Sequence, residues 1–249
     1  MKVCAVIPVY NHAEAIGDVV RGLRAHGLPV CLVDDGSEPR CAAALRALAA
    51  QDAEVMLHVR PSNGGKGCAV IDGVRAVAAA GYTHALQIDA DGQHDTRDVP
   101  RFLAAAQAEP DALVTGCPVY DHSVPRARLY GRYLTHVWVW INTLSLRITD
   151  SMCGFRIYPL ASMLPLLERV RIGHRMDFDT EILVRLDWAG VPIRNLPTRV
   201  RYPQDGVSHF RPLSDNVRIS AMHTRLFFGM LLRSPRLLWR HLLPSRRAS

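Results

Sequence analysis

His84-Ala85-Leu86-Gln87-Ile88-Asp89-Ala90-Asp91-Gly92-Gln93-His94 joins a strand to a pair of acids. Residues 84–88 form a short apolar run of strand length, and Gly92-Gln93-His94 is turn chemistry. Asp89 and Asp91 therefore sit at a strand end, where ligands bind in open α/β sheets. Two carboxylates in i,i+2 register repel each other unless a cation lies beside them. A hard divalent ion, Mg²⁺ or Mn²⁺, suits oxygen ligands and usually also holds a phosphate. Asp-x-Asp alone is a common pattern, equally compatible with a solvated loop. Its weight comes from its neighbours.

Working outward, the first half alternates in a βα rhythm. Strands are expected at Val3–Pro8, Val30–Val33, Glu54–Val59, His84–Ile88 and Ala112–Thr115. Helices are expected at Ala13–His26, Arg40–Gln51, Gly67–Ala80 and Val99–Ala108. This alternation predicts an α/β fold with a doubly wound, mainly parallel sheet and helices on both faces. Polar, small-residue loops follow four of the strands: Pro8-Val9-Tyr10-Asn11, Asp34-Asp35-Gly36-Ser37, Asn63-Gly64-Gly65-Lys66-Gly67 and Asp89 to His94. They converge on one sheet edge. Asp34 and Asp35 suit hydrogen bonds to a base or ribose, and Asp-Gly-Ser is equally strong turn chemistry. Asn63 to Gly67 precedes a helix, where glycines permit close backbone approach and the helix N-terminus favours an anion. It lacks the order of a Walker loop, and no dinucleotide fingerprint follows the first strand.

Composition bounds the rest. The chain has 249 residues, is 49% hydrophobic and 21% charged, and carries a formal charge of +7. Its six cysteines are scattered without a CxxC pair, which argues against a zinc site or a disulfide framework. Met1 runs straight into a strand, so no signal peptide is expected, and a cytoplasmic location follows. The last acid is Asp215, and residues 216–249 hold seven arginines. Residues 1–215 hold 23 basic and 23 acidic side chains, so the net charge resides in the tail. An anionic surface is the expected partner. Ile219 to Trp239 mixes large apolar residues with arginines, which predicts a pair of basic amphipathic helices lying in a membrane interface. The same residues also suit a helix packed on the domain with its arginines outward. Nucleic acid is not expected, since the tail carries no recognised reading motif.

Together, Ile7-Pro8-Val9-Tyr10-Asn11, Val33 to Ser37, Asn63 to Gly67 and Asp89-Ala90-Asp91-Gly92-Gln93 resemble an inverting family 2 glycosyltransferase of GT-A fold. The nearest branch is the polyprenyl-phosphate (dolichol-phosphate) mannosyltransferase-like group. Asp150 to Arg156 and Phe178 to Leu186 resemble two further segments of that group, with Ser151-Met152-Cys153 and Phe178 departing from its pattern. The resemblance covers roughly residues 3–211. It implies a glycosyltransferase domain over 1–215, to which the charge of residues 216–249 adds a membrane-associating tail, expected to be peripheral on the inner face of the cell membrane. It implies a UDP- or GDP-linked sugar held by Pro8, Tyr10, Asn11, Asp34, Asp35, Asn63, Gly65, Lys66 and Asp89. It places the metal on Asp91, with Gln93 in support; His209 is a further candidate beside the donor phosphates, equally compatible with a structural loop histidine. Asp179 falls on the position of the catalytic base, with Asp150 second and Glu181 a further candidate; a solvated helix face is the plainer alternative for Asp179 and Glu181. A lipid-linked acceptor, phosphate or hydroxyl, would meet Arg126, Arg128, Arg132, Gly154, Arg156 and Arg211. The alternatives are a nucleotidyltransferase acting on a sugar phosphate, whose arginine- and glycine-rich first loop residues 7–13 lack, and a non-catalytic nucleotide-sugar-binding protein.

Overall fold

The structure, a computed structural model, describes residues 1–119, 126–200 and 212–242. His209 and Arg211 lie outside the described residues, as do the side chains of Arg126 and Arg128. Seven strands are described: β1 (Val3–Val9), β2 (Val30–Asp34), β3 (Val55–Val59), β4 (His84–Gln87), β5 (Leu113–Val119), β6 (Arg156–Pro159) and β7 (Ile193–Arg199). They form one sheet in the order β3-β2-β1-β4-β6-β5-β7. The helices are α1 (Ile16–Arg24), α2 (Pro39–Gln51), α3 (Lys66–Ala79), α4 (Val99–Ala108), α5 (Arg126–Thr143), α6 (Leu160–Arg169), α7 (Phe178–Ala189) and α8 (Pro212–Leu242).

The sheet is buried on both faces, which is why its central strands read as continuous apolar runs. Along β1, Cys4 and Val6 enter one core with α3, α6, α7 and α8. Ala5, Ile7 and Val9 enter the other, with α1 and α4. That alternation is the two-residue period of a strand. The four cysteines in apolar context, Cys4, Cys31, Cys41 and Cys153, are buried, and all six are free thiols. Burial pushes the Cys4 thiol up to about 12.

Two features of topology position the site. The crossover from β1 leads to β2 on one side, while β4 pairs with β1 on the other. The ends of β1 and β4 therefore flank a topological switch point. The exception to the parallel sheet is β6, antiparallel to both β4 and β5. Because it runs the other way, β6 starts at the edge where β4 ends, with Arg156 opposite Gln87. The loop before it is thereby carried to the carboxylates after β4.

The tail departs from expectation in form. One helix, α8, spans Pro212–Leu242 where a pair was expected, and Pro235 lies inside it. Proline lacks the N–H that would reach the Leu231 carbonyl. Ser234 Oγ donates to that carbonyl instead, at 2.9 Å, and the helix continues. Met222, Leu226, Met230 and Leu237 are buried against the domain. Three tail arginines reach partners on α7. Arg225 pairs with Glu181, Arg240 with Asp187, and the Arg233 guanidinium lies 4.8 Å from the centre of the Trp188 ring.

Candidate active site

The loop after β2 is tied to the loop after β3 by one carboxylate. Asp35 accepts the backbone N–H of Gly64 at 2.9 Å and of Gly65 at 2.8 Å, and pairs with Arg60. Asp34 accepts from Ser37 N at 2.8 Å, the Asx turn that the Asp-Gly-Ser sequence favours. Asn11, in the left-handed region at φ 59°, joins the first loop to the second: its Oδ1 accepts Glu38 N at 2.8 Å. Pro8 and Tyr10 stand at the same edge, at the end of β1. Asn63 Oδ1 accepts a long hydrogen bond from Arg175 at 3.4 Å. The three loops expected to meet do meet, and the acids that close them are largely spent on backbone.

Lys66, the first residue of α3, is the centre of the site. Its Nζ lies 2.7 Å from Asp89 Oδ1 and 2.7 Å from Asp179 Oδ2. Burial alone would lower the Lys66 pKa, but the charges of Asp179 and Asp89 raise it well above the ordinary value, so the ammonium stays charged. Burial would likewise raise Asp89, yet Lys66 and His94 hold its carboxyl well below the usual range. His94 Nε2 stands 3.8 Å away. Gly154 packs on the same carboxylate so closely that a Cβ there would overlap it.

Asp91 differs from Asp89. Burial and the neighbouring Asp89 charge push its pKa up, and one of its oxygens accepts Gln93 N at 3.0 Å. A carboxylate raised in this way is one whose charged form lacks compensation, which suits a cation. No cluster of three or more His, Cys, Asp or Glu side chains able to hold a metal exists among the described residues. A hard ion at Asp91 would accordingly share its coordination with phosphate oxygens of a ligand, the usual way Mg²⁺ is held. The Gln93 backbone N–H orients the Asp91 carboxylate and is not itself a metal ligand.

Asp179 is not on a solvated helix face. It is 6% exposed; Oδ1 accepts Gln87 Nε2 at 2.9 Å and Oδ2 faces Lys66. Gln87 is a residue that sequence reasoning passed over. It is buried at the end of β4, donates to Asp179 and accepts from Tyr158 OH at 3.0 Å. A glutamine inside an apolar strand was the available signal, because a buried amide needs designated partners.

Three expectations are corrected. Arg156 is fully buried, with Nη1 donating to the Asp179 carbonyl at 2.6 Å and Nη2 to the Ser151 carbonyl at 2.8 Å. Its fork is occupied by the protein, so it orients the 151–156 segment and does not face an acceptor. Glu181 is fully buried and takes Gly173 N, Arg185 and Arg225. It anchors α8 and the 170–177 loop and has no free oxygen for catalysis. Asp150 accepts both nitrogens of the Arg132 fork, at 2.6 and 2.7 Å, and the N–H groups of Met152 and Cys153. Although burial would raise it, His136 and Arg132 keep its carboxyl well below the usual range. Asp150 is thus a poor base, and Arg132 reaches the site already paired.

Residues 4–163 match the family model described as glycosyl transferase family 2. The chain is 30% identical over 168 residues to an undecaprenyl-phosphate mannosyltransferase of Micrococcus luteus, covering 64% of this chain and 66% of that protein. It is 30% identical over 173 residues to a polyprenol monophosphomannose synthase of Mycolicibacterium smegmatis, covering 63% and 61%. The chain thus spans less than two thirds of these relatives' lengths. Its fold matches glucosyl-3-phosphoglycerate synthase of Mycobacterium tuberculosis, solved with Mn²⁺ and UDP-glucose. The TM-score is 0.63 at 16% identity, over 93% of this chain and 78% of that one. The architecture is the GT-A fold, and the chain belongs to glycosyl transferase family 2.

Proposed function

We propose that this glycosyltransferase moves a sugar from a UDP- or GDP-linked donor to a phosphate-bearing lipid at a membrane surface, with inversion and with Mg²⁺ or Mn²⁺. The observation that carries this reading is the ionic chain Asp89–Lys66–Asp179 at the switch point, with the uncompensated Asp91 beside it. The relatives named for undecaprenyl- and polyprenol-phosphate chemistry support the acceptor class. The neighbour solved with Mn²⁺ and UDP-glucose supports a nucleotide-sugar donor and a divalent ion.

In this reading Pro8, Tyr10, Asn11, Asp34, Asp35, Asn63 and Gly65 line the nucleotide, and Asp89 meets its sugar side. Asp91 holds the ion together with the donor diphosphate. When bound, the ion supplies Lewis-acid stabilisation of charge on the departing nucleoside diphosphate. Lys66 adds a fixed positive charge where negative charge develops, without reorganisation. An acceptor phosphate oxygen attacks the anomeric carbon, the bond from that carbon to the donor phosphate oxygen breaks, and configuration inverts. Such an oxygen is already anionic and needs no base. The engagement of both Asp179 oxygens favours this acceptor over a hydroxyl, for which Asp179 would have to accept a proton. Arg132 and the first turn of α5, with Arg126 and Arg128, are the acceptor side.

Membrane placement rests on α5 and α8. Tyr133 and Leu134 of α5 and Phe228, Leu232, Leu238 and Trp239 of α8 are exposed. No helix among the described residues is long and apolar enough to cross a membrane. Residues 1–215 serve as the catalytic unit and 216–249 as an interfacial element, of which the described part, in α8, packs on that unit.

The test is transfer with purified protein, Mn²⁺, a panel of nucleotide sugars and polyprenyl phosphate, with the product read by mass spectrometry. Asp91→Ala is expected to cut turnover by about 10²-fold or more, the scale of losing a main charge stabiliser. Metal-dependent turnover retained in that variant would refute the metal assignment. Asp179→Asn at near-normal rate supports the phosphate acceptor, and a loss of about 10²-fold or more in kcat at unchanged KM would return the role of base to Asp179.

A further inference from the structure

A second basic site lies outside the transfer centre. Gly64, the loop Arg171–Arg175, Asp177 and the facing sides of α7 and α8 enclose a cleft of about 600 Å³. Five arginines line it: Arg171, Arg175, Arg185, Arg218 and Arg225. Asp177 is the acid among its lining residues, and its Oδ1 accepts Arg175 N at 3.1 Å. Glu181, at the foot of the cleft, is shared by Arg185 and Arg225. Arg171 and Arg218 make no ion pair or hydrogen bond among the described residues. The cleft opens at the N-terminal end of the 12-residue helix α7, where the helix dipole adds positive potential. Gly65 and Gly67 of the Lys66 loop pack on the backbone of residues 173–174, so that segment walls the cleft off from Lys66 and Asp179.

Uncompensated arginine forks from two sides of one concavity fit the oxygens of a phosphate group. We propose that this cleft binds a phosphate ester, separate from the donor and acceptor of the transfer reaction. The ester is either the headgroup of an anionic phospholipid, presented beside the apolar face of α8, or a free phosphorylated metabolite. The assignment does not depend on the transfer reading, because the two arginines that carry it, Arg171 and Arg218, are not residues of that site.

The experiment compares the wild-type protein with Arg171→Ala/Arg218→Ala, which removes the two arginines without a partner among the described residues, and with Arg46→Ala/Arg75→Ala. The second variant loses the same charge from exposed positions on α2 and α3. Each is titrated by calorimetry with glycerol 3-phosphate and by sedimentation with phosphatidylglycerol–phosphatidylcholine vesicles at one ionic strength, after thermal melts confirm folding. Loss of two charge-assisted contacts is expected to weaken binding by about tenfold or more in the first variant alone. A loss seen with both probes or with vesicles alone identifies the headgroup. A loss seen with glycerol 3-phosphate alone identifies a free ester. If the two variants bind alike with both probes, or the wild type binds neither, the proposal is overturned.

Discussion

At the scale of residues, the site is a set of charges whose partners were assigned by the fold. Gly154 shows how tight that assignment is, since even one methyl group would enter the Asp89 carboxylate. Gly154→Ala is expected to cost about 1–3 kcal/mol by overpacking and to reduce transfer further by displacing Asp89. A melt and a rate assay on the same sample check this, and unchanged values in both would contradict the packing. Asp91 carries a pH prediction. Its pKa is raised by burial and by Asp89, so its charged form is lost at a higher pH than an ordinary aspartate as the solution is acidified. Mn²⁺ affinity should therefore fall on acidification before ordinary carboxylates titrate, and titration of Mn²⁺ across that range checks it. Of these residues, the acids of the loops and Lys66 were legible from their positions after strands. Their pairing was not, because Lys66, Asp89 and Asp179 come from elements far apart in the chain.

At the scale of elements, α8 is both a structural cover and a candidate membrane face. Leu226 is fully buried and Leu232 is 84% exposed. Leu226→Ala is expected to cost about 2–5 kcal/mol, as for buried leucines generally. Leu232→Glu should leave stability nearly unchanged and lower binding to anionic vesicles; equal vesicle binding would count against the interfacial reading. Simple removal of α8 is a poorer test, since it leaves the buried Asp187 without Arg240 and takes Arg225 from Glu181. His223 adds a pH dependence. Burial lowers its pKa from 6.5 to about 4, and its Nδ1 stands 3.2 Å from Asn142 Nδ2 of α5. Because the folded value lies below the unfolded one, the unfolded chain takes up the proton first. Stability from the α5–α8 contact is thus full above about 6.5 and falls as pH drops towards about 4. Melts at several pH values should show the loss, and His223→Gln should flatten it. The apolar and basic mixture of this element was legible. Its docking was not, because inward and outward arginines are identical as letters and only α7 supplies Glu181, Asp187 and Trp188.

At the scale of the whole molecule, the sheet brings the loops after β1, β2, β3 and β4 to one edge, so a donor should engage several elements at once. A nucleotide sugar at 100 times its dissociation constant is expected to stabilise the protein by about 2.7 kcal/mol in the presence of Mn²⁺. A thermal-shift panel would identify the sugar and base together, and no stabilisation by any donor would contradict the proposed site. The βα rhythm, the loops at the strand ends, the family and the concentration of positive charge in the tail are all legible in the residues alone. Each of these is encoded locally, by hydrophobic period, turn chemistry or residue order. It took the folded arrangement to show that β6 runs antiparallel and delivers Gly154 to Asp89, that Gln87 and Lys66 hold Asp179, and that Arg156, Glu181 and Asp150 are spent on internal contacts. Those outcomes depend on strand order and on partners distant along the chain. A buried charge is defined by what surrounds it, so neighbours in sequence could not supply them.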